Sequence, residues 1–445
     1  MNGNDLLASF EYLEALYHRP ILPPKTVGLR RIETLLELLG NPHRAFESVH
    51  VTGTCGKGST ATMIGSILTA AGMKAGIFRS PHLDTYRDRI GIGSGSVSEP
   101  DWLAAFEIVR LVAEDMEAGR VSGYDLGRVS LFEMVWAMAA YHYALTEVDF
   151  AVVEVGIGGR LSPTNVLLPE VSVVTNVSLD HTAVLGPTEV DIAREKARII
   201  KPGNAATSAA TQSDVIAVIR ERAEETGSKL WLVGEEVRFD LHTHDLRGET
   251  FSVTTPLRRH DGLEVGMLGL HQVVNAATAV SALDLVSERG FAVSDEAVQR
   301  GLRAARLPGR FEVVSSDPLI VLDGARNVAS ATVLAQTVTD LFPDNPVTLL
   351  IGVLGDKDAE GIVDVLAPLA RSAVVTEPPW EGRVGDLSRL ETALRHHLAE
   401  VEFRPDAAEA LAAGLAQTAG GGLLLVTGSL YLVAQIRQLL LGVSG

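Results

Sequence analysis

At 445 residues, 46% hydrophobic and 21% charged, the chain is too long for one ordinary core and too apolar for a disordered one, so two globular domains of enzyme type are expected. Its 38 basic and 56 acidic residues give a formal charge of −18, which repels nucleic acid and anionic membranes. The single cysteine, Cys55, excludes an internal disulfide and fits a reducing cytoplasm. No apolar run reaches membrane-spanning length, and the opening MNGNDLLASFEYLEALYHRP lacks the basic flank and hydrophobic run of a signal peptide.

The first strong element is HVTGTCGKGSTATM, His50 to Met63, which reads as a strand, a glycine loop and a helix start. Backbone N–H groups of such a loop and of the helix N-terminus converge on negative charge, and Lys57 adds a mobile cation. Thr54, Cys55, Gly56, Lys57, Gly58 and Ser59 are therefore expected to hold a nucleotide phosphate. The spelling departs from the common P-loop, because Gly58 separates Lys57 from the hydroxyl of Ser59. Cys55 reads as a small residue tolerated beside phosphates, the alternative being a redox-sensitive thiol activated by the helix N-terminus.

Beyond the loop, AGIFRS, DWLAAFEIVRLVAEDM, SLFEMVWAMAAYHYAL, FAVVEVGIGG and VSVVTNVSLDH alternate short apolar strands with longer helices. This predicts an α/β domain with a mainly parallel sheet covered on both faces. Between Thr207 and Thr255 the pattern loosens, and the period-two run LWLVGEEVRFDLHTHDLRGETFSVTT predicts a β-rich antiparallel appendage near 228–256. Helices are expected from about Val273 to Glu288 and from Asp295 to Ala305. Pro308 and Gly309 then break the pattern, and LIVLDGA, VTLLIGVLG, SAVVTE and LLLVTGS open a second, smaller, Rossmann-like α/β domain. The expected division is 1–306 and 307–445.

Taken in order and spacing, GTCGKGS, SPHL, EVGIGGRLSPTN, LDHTAVLG with IAREKARIIKPG, HQVVNA, LPGRFEVV, LDGARN, GDKD and TGSLYL carry a resemblance over nearly the whole chain. The sequence resembles the folylpolyglutamate synthase and dihydrofolate synthase branch of the Mur ligase family. The resemblance implies a P-loop ATPase domain of the Mur central type, followed by a C-terminal ligase domain. It also implies ATP-dependent amide formation, in which a carboxylate attacks the γ-phosphate and an amine then displaces phosphate from the acyl phosphate. L-Glutamate would be added to dihydropteroate, to folates, or to both. ATP and Mg²⁺ would be the cofactors, and the partners would be small molecules (pteroate or folate, amino acid, ATP), with no nucleic acid or membrane, in a cytoplasmic monomer.

The resemblance also assigns residues. Ser80, Glu154 and His181 would hold magnesium, joined by Lys196 if carbamylated; on helical grounds alone Lys196 would face solvent. Lys57, His181, Lys196 and Arg310 would form the catalytic set. Asn275 would read adenine, while Arg310 and Asp323, delivered by the second domain, would clamp phosphate and ribose. His82, Ser130, Phe132, Glu133, Leu161, Ser162 and Arg326 would meet the substrates. Four positions depart from the family pattern. Cys55 stands where Asn is usual, Ser162 and Pro163 where Asp and Ala are usual, and Arg326 where His is usual. Ser162 and Arg326 keep open a ligase of the same fold acting on a different acid or amine. A non-catalytic nucleotide-binding regulator is a further alternative, against which Lys57, Glu154, His181, Lys196 and Arg310 together argue.

Overall fold

The computed structural model describes residues 3–379, 387–418 and 421–442. The strand Glu47–Thr52 is buried along nearly its whole length and lies at the middle of an eight-stranded sheet. From one side to the other the parallel strands are Ala75–Phe78, Phe150–Glu154, Glu47–Thr52, Val171–Val174, Ala205–Ser208 and Lys229–Leu232. Ile90–Ile92 and Gly95–Ser96 extend one edge antiparallel. Runs such as FAVVE are apolar at successive positions because helices cover both faces of the sheet. On one face, helices Lys57–Ala70 and Leu270–Glu288 pack Met63, Ile64, Ile67, Val280 and Leu283 against Val49, Val51 and Val173. On the other, helices Glu99–Glu117 and Leu131–Leu145 bring Trp102, Trp136 and Tyr143, with the N-terminal helices Gly3–His18 and Arg30–Leu38 behind them.

The appendage differs from its expected span. Lys229–Leu232 pairs parallel with Ala205–Ser208 and closes the large sheet; its half-alternating pattern arises because an edge strand has one wet face. The antiparallel unit comprises Arg238–Asp245, Gly248–Thr254 and Arg259–Val265. Helix Asp295–Ala304 returns to the first domain, where Gly301 lets it approach Lys57–Ala70 so closely that an added Cβ would lie 2.4 Å from Ile67 Cα.

The second sheet begins at Glu312–Ser316, antiparallel to Leu319–Leu322, and continues in parallel through Leu423–Thr427, Val347–Ile351, Ala370–Val375 and Glu400–Phe403. Helices Val328–Leu341, Ala359–Leu366 and Leu387–His397 cover one face, and Ala407–Thr418 and Leu430–Leu441 cover the other. In both sheets the strands end toward the seam between domains, which in open α/β sheets is where ligands bind.

A buried ion pair of the first domain lies under its N-terminal helices. Arg31 Nε donates to both carboxylate oxygens of Glu133, at 3.0 and 2.8 Å, and the pair is almost wholly shielded from water. Removing one partner would leave the other charge buried and uncompensated. Glu133→Leu is expected to lower first-domain stability by about 3–5 kcal/mol, whereas the Arg31→Met/Glu133→Leu pair costs much less. Denaturant unfolding followed by the fluorescence of the buried Trp102 and Trp136 measures both.

Candidate active site

The phosphate loop has the backbone that its glycines demand. Gly53 has φ +152° and an added Cβ would sit 1.8 Å from Thr175 Oγ1; Gly56 has φ +78° and faces Asn275 Oδ1, 2.4 Å from where a Cβ would be. The exit of the neighbouring strand pins the loop. Thr54 N donates to Asn176 O at 3.0 Å, Cys55 N to Asn176 Oδ1 at 2.9 Å, and Thr175 Oγ1 to Cys55 O at 2.6 Å. The first amides of helix Lys57–Ala70 are left pointing forward, without intrahelical partners. Lys57 Nζ donates to Gly53 O and Thr54 O, at 3.1 and 3.2 Å.

Lys196 is not the solvent-facing lysine of the helical reading. It is 4% exposed, and its Nζ donates to the same Gly53 carbonyl at 2.7 Å. Burial and then the neighbouring Lys57 lower its pKa to about 7, so a neutral amine is accessible near physiological pH. Cys55 is a half-buried thiol with Sγ 3.9 Å from Asn327 Oδ1. Burial raises its pKa despite Lys57, which favours the small-residue reading over an activated thiol.

Of the expected metal ligands, Glu154 is buried at the end of its strand and accepts from Ser80 N at 3.0 Å. His181 has a positive φ of 51° and caps the short helix Thr182–Leu185. Burial, with Lys357, Arg326 and Lys57 nearby, holds its pKa at about 4 against the opposing pull of Asp180, so the imidazole is neutral at physiological pH. Among the described residues no group of three or more His, Cys, Asp or Glu could by itself hold a metal. One carboxylate, a serine hydroxyl and a neutral imidazole nevertheless fit magnesium, which keeps waters and phosphate oxygens in preference to an all-protein cage.

Asp180 is the functional residue that the sequence reading missed. It accepts from Lys357 Nζ at 3.0 Å and from Asn327 Nδ2 at 3.2 Å, both from the second domain. Although burial raises its pKa, His181 and Lys357 bring it down to about 2. The signal was present in LDH and GDKD, quoted as motifs without a role for either charge. Further along the seam, Arg437 reaches Asp84 at 3.0 Å and Glu312 at 3.1 Å.

Arg310 is half-buried near Asp323, with Nη1 donating to Gly309 O at 3.2 Å. Asp323 in turn accepts from Phe311 N and Ala325 N, both at 2.8 Å. Phe311 takes a φ of +44°, uncommon for a residue with a side chain, and its ring anchors the loop against Phe342. Asn275 packs its amide on the phosphate loop and donates to Gln272 Oε1 at 3.0 Å. Arg326 lies close enough to Lys57, Glu154 and His181 to influence the protonation of each, which places it at the phosphate loop as well as at the cavity wall.

A cavity of about 1130 Å³ brings together part of this set, while Cys55, Glu154, Asn275, Arg310 and Asp323 are not among the residues that line it. Lys57, Asp180, His181, Lys196, Arg326 and Lys357 line its charged part, and Phe132, Ile157, Leu161, Pro163, Leu16 and Leu29 contribute an apolar wall. The N-terminal contribution was not anticipated, because residues 16–32 carry no motif. Ser130 and Glu133 border the cavity, but their polar atoms are occupied: they form the capping box of helix Leu131–Leu145, and Glu133 also holds Arg31. His82 does not line the cavity. Its Nδ1 accepts from Arg89 Nε at 3.0 Å, its ring lies on Tyr86 with centroids 4.4 Å apart, and burial with Arg89 holds it at about 3. Arg89 is the residue that faces the cavity. Ser162 is a buried wall residue whose Oγ lies 2.9 Å from Thr164 Oγ1.

Comparison with known proteins identifies the family and the fold. The family described as Mur ligase middle domain matches residues 134–283, and that described as Mur ligase, glutamate ligase domain matches residues 309–430. A folylpolyglutamate synthase of Lacticaseibacillus casei is 34% identical over 94% of this chain and 95% of its own length. A dihydrofolate synthase/folylpolyglutamate synthase of Bacillus subtilis is 31% identical over 92% and 94%. Among solved structures, Mycobacterium tuberculosis folylpolyglutamate synthase complexed with ADP superposes with a TM-score of 0.90 at 28% identity, over 98% of both chains. Escherichia coli FolC in complex with DHPP and ADP gives 0.85 at 29%, again over 98% of both. The chain therefore belongs to the Mur ligase family, in the branch that holds the folylpolyglutamate and dihydrofolate synthases.

Proposed function

We propose that this protein is an ATP-dependent ligase that joins L-glutamate to dihydropteroate, to folates, or to both. The observation that carries the reading is one cavity in which the glycine loop, Lys57, Lys196 and Arg326 stand beside an apolar wall suited to an aromatic acid. Loop amides and Lys57 hold the ATP phosphates, and Lys57 leaves the Gly53 and Thr54 carbonyls to follow the transferring group. The acid's carboxylate oxygen attacks the γ-phosphorus and ADP departs. Glutamate nitrogen then attacks the acyl carbon, and phosphate leaves with that oxygen. Ser80, Glu154 and His181, with Lys196 once carbamylated, are the residues that would hold magnesium, whose role when bound is to neutralise phosphate charge. Arg310 supports the phosphates, Asn275 and Asp323 the nucleoside, and Arg326 stands where the amine's carboxylate and the phosphates meet. Phe132, Leu161 and Ser162 border the acid.

The departures at Ser162 and Arg326 support a second reading, the same chemistry on another acid or amine. Offering ATP, magnesium and glutamate with dihydropteroate or a reduced folate, and assaying ADP and product mass, separates the two. Release of ADP with product one glutamyl unit heavier supports the first; release only with unrelated acids overturns it. The reading goes with a cytoplasmic monomer acting on small molecules: a charge of −18 disfavours nucleic acid and anionic membranes, and no helix among the described residues is long and apolar enough to cross a membrane.

Two outcomes are expected from the charged groups. Lys57→Ala should lower turnover by about 10²-fold or more while the thermal unfolding midpoint is retained. Near-normal ADP release by this variant would exclude the loop as the transfer site. For Lys196, only the neutral amine reacts with carbon dioxide. With a pKa of about 7 it is cationic below that pH and neutral above it, so added bicarbonate should stimulate activity at pH 8 more than at pH 6. Equal activity with and without bicarbonate at both pH values, and no carbon dioxide adduct in the native mass spectrum, would leave Lys196 a plain buried cation.

A further inference from the structure

Outside the cavity, a relay of half-buried charges joins a loop of the first domain to the turn that carries Arg310. The loop 80–84 starts at Glu154, which accepts from Ser80 N at 3.0 Å, and packs Leu83 against the core of the second domain. At its end Asp84 Oδ2 accepts from Arg437 Nη1 at 3.0 Å. Asp84 Oδ1 is buried without a hydrogen-bond partner among the described residues, so the carboxylate relies on Arg437. Arg437, on helix Leu430–Leu441, donates through Nε to both oxygens of Glu312 at 3.1 Å. Glu312 Oε2 also accepts from Gly309 N at 2.8 Å. Gly309 turns with a φ of +70°, and a Cβ there would lie 3.1 Å from Leu83 Cδ1 and 3.2 Å from Val433 Cγ1, so the turn is shaped against both domains. The next residue is Arg310, near enough to Glu154 and Cys55 for their charges to act on it. The relay thus leaves Glu154 through Ser80 and returns to it through Arg310.

We propose that Asp84, Arg437 and Glu312 are positioning residues for Arg310, which carry closure of the seam to the Gly309 turn and bring Arg310 to the phosphate loop only while Asp84 holds Arg437. Glu312 by itself fixes the turn within the second domain. Arg437 ties that hold to the first, so without Asp84 the turn follows the second domain alone. Half-buried ion pairs contribute little to overall stability. A displacement of about 1 Å in a group that meets the transferring phosphoryl can cost about 10²-fold in rate. The relay is therefore expected to act on turnover and not on folding. The inference rests on the ligase reading, in which Arg310 supports the phosphates.

The test is a mutant cycle in the full-length protein, with ADP release measured in the presence of ATP, magnesium, glutamate and either dihydropteroate or a reduced folate. Arg437→Met should lower kcat by about tenfold, with a smaller change in the KM for ATP and the thermal unfolding midpoint retained. Asp84→Asn, nearly the same size and on the other domain, should lower kcat in the same sense and decides the matter if Arg437→Met does not fold. In an Arg310→Met background neither change should lower kcat further, because the group they position is gone. A contact that merely fastens the domains would give losses that multiply. Multiplying losses, or a wild-type kcat in both Arg437→Met and Asp84→Asn, contradict the proposal alone. Normal turnover by Arg310→Met contradicts the role given to Arg310, and turnover of neither acid by the wild-type protein contradicts the folate reading; each takes this proposal with it.

Discussion

The structure depends on a concentration of positive charge in the seam of an acidic chain. Lys57 and Lys196 share one backbone carbonyl, and a half-buried Arg310 arrives from the second domain with Arg326 and Lys357. Glu154, Asp180 and Asp323 balance them only in part, and Asp323 is also held by two backbone amides. Cations this close, in a place short of water, are costly without an anion, and the lowered pKa of Lys196 records that cost. A nucleotide phosphate is the ligand that would relieve it. Burial, reinforced by the same excess, also keeps His181 neutral.

The seam explains why two domains are needed. Each sheet directs its strand ends to it, and the connection that makes the site whole is Asp180 on the first domain engaging Lys357 and Asn327 on the second. Arg437 fastens the seam further along through Asp84 of the first domain, while Glu312 of its own domain holds the guanidinium. The second domain supplies Arg310 on a loop forced through a positive φ at Phe311 and fixed by Asp323, so its guanidinium is positioned before any ligand enters. Rigid preparation of this kind suits phosphoryl transfer, where catalysis is mostly positioning and charge neutralisation. On this account, closure of the seam and filling of the loop are coupled.

What could be read in the sequence was what local chemistry decides. The glycine spacing of 53–58 specified a loop that only Gly53 and Gly56 could form, and the alternation of strands and helices specified two parallel sheets. What could not be read depended on groups distant along the chain. Lys196 looked solvent-facing because nothing near it in sequence shows that the loop at Gly53 lies against it, 143 residues away. Asp180 and Lys357, separated by 177 residues, were each visible but not as a pair. Ser130 and Glu133 are a different case. Their spacing is the signature of a capping box and was legible, but the resemblance drew attention to the substrate instead of the helix end. The edge strand Lys229–Leu232 was misassigned because period-two alternation marks a half-wet strand in either kind of sheet.

The central claim is that the acid substrate's own carboxylate oxygen is phosphorylated in this cavity before the amide forms. The direct measurement is turnover with an acid carrying ¹⁸O in its carboxylate, followed by mass analysis of the inorganic phosphate released. An acyl phosphate requires each phosphate to carry away one substrate oxygen, so the account predicts one ¹⁸O per phosphate at full enrichment. Unlabelled phosphate accompanying amide product would contradict it.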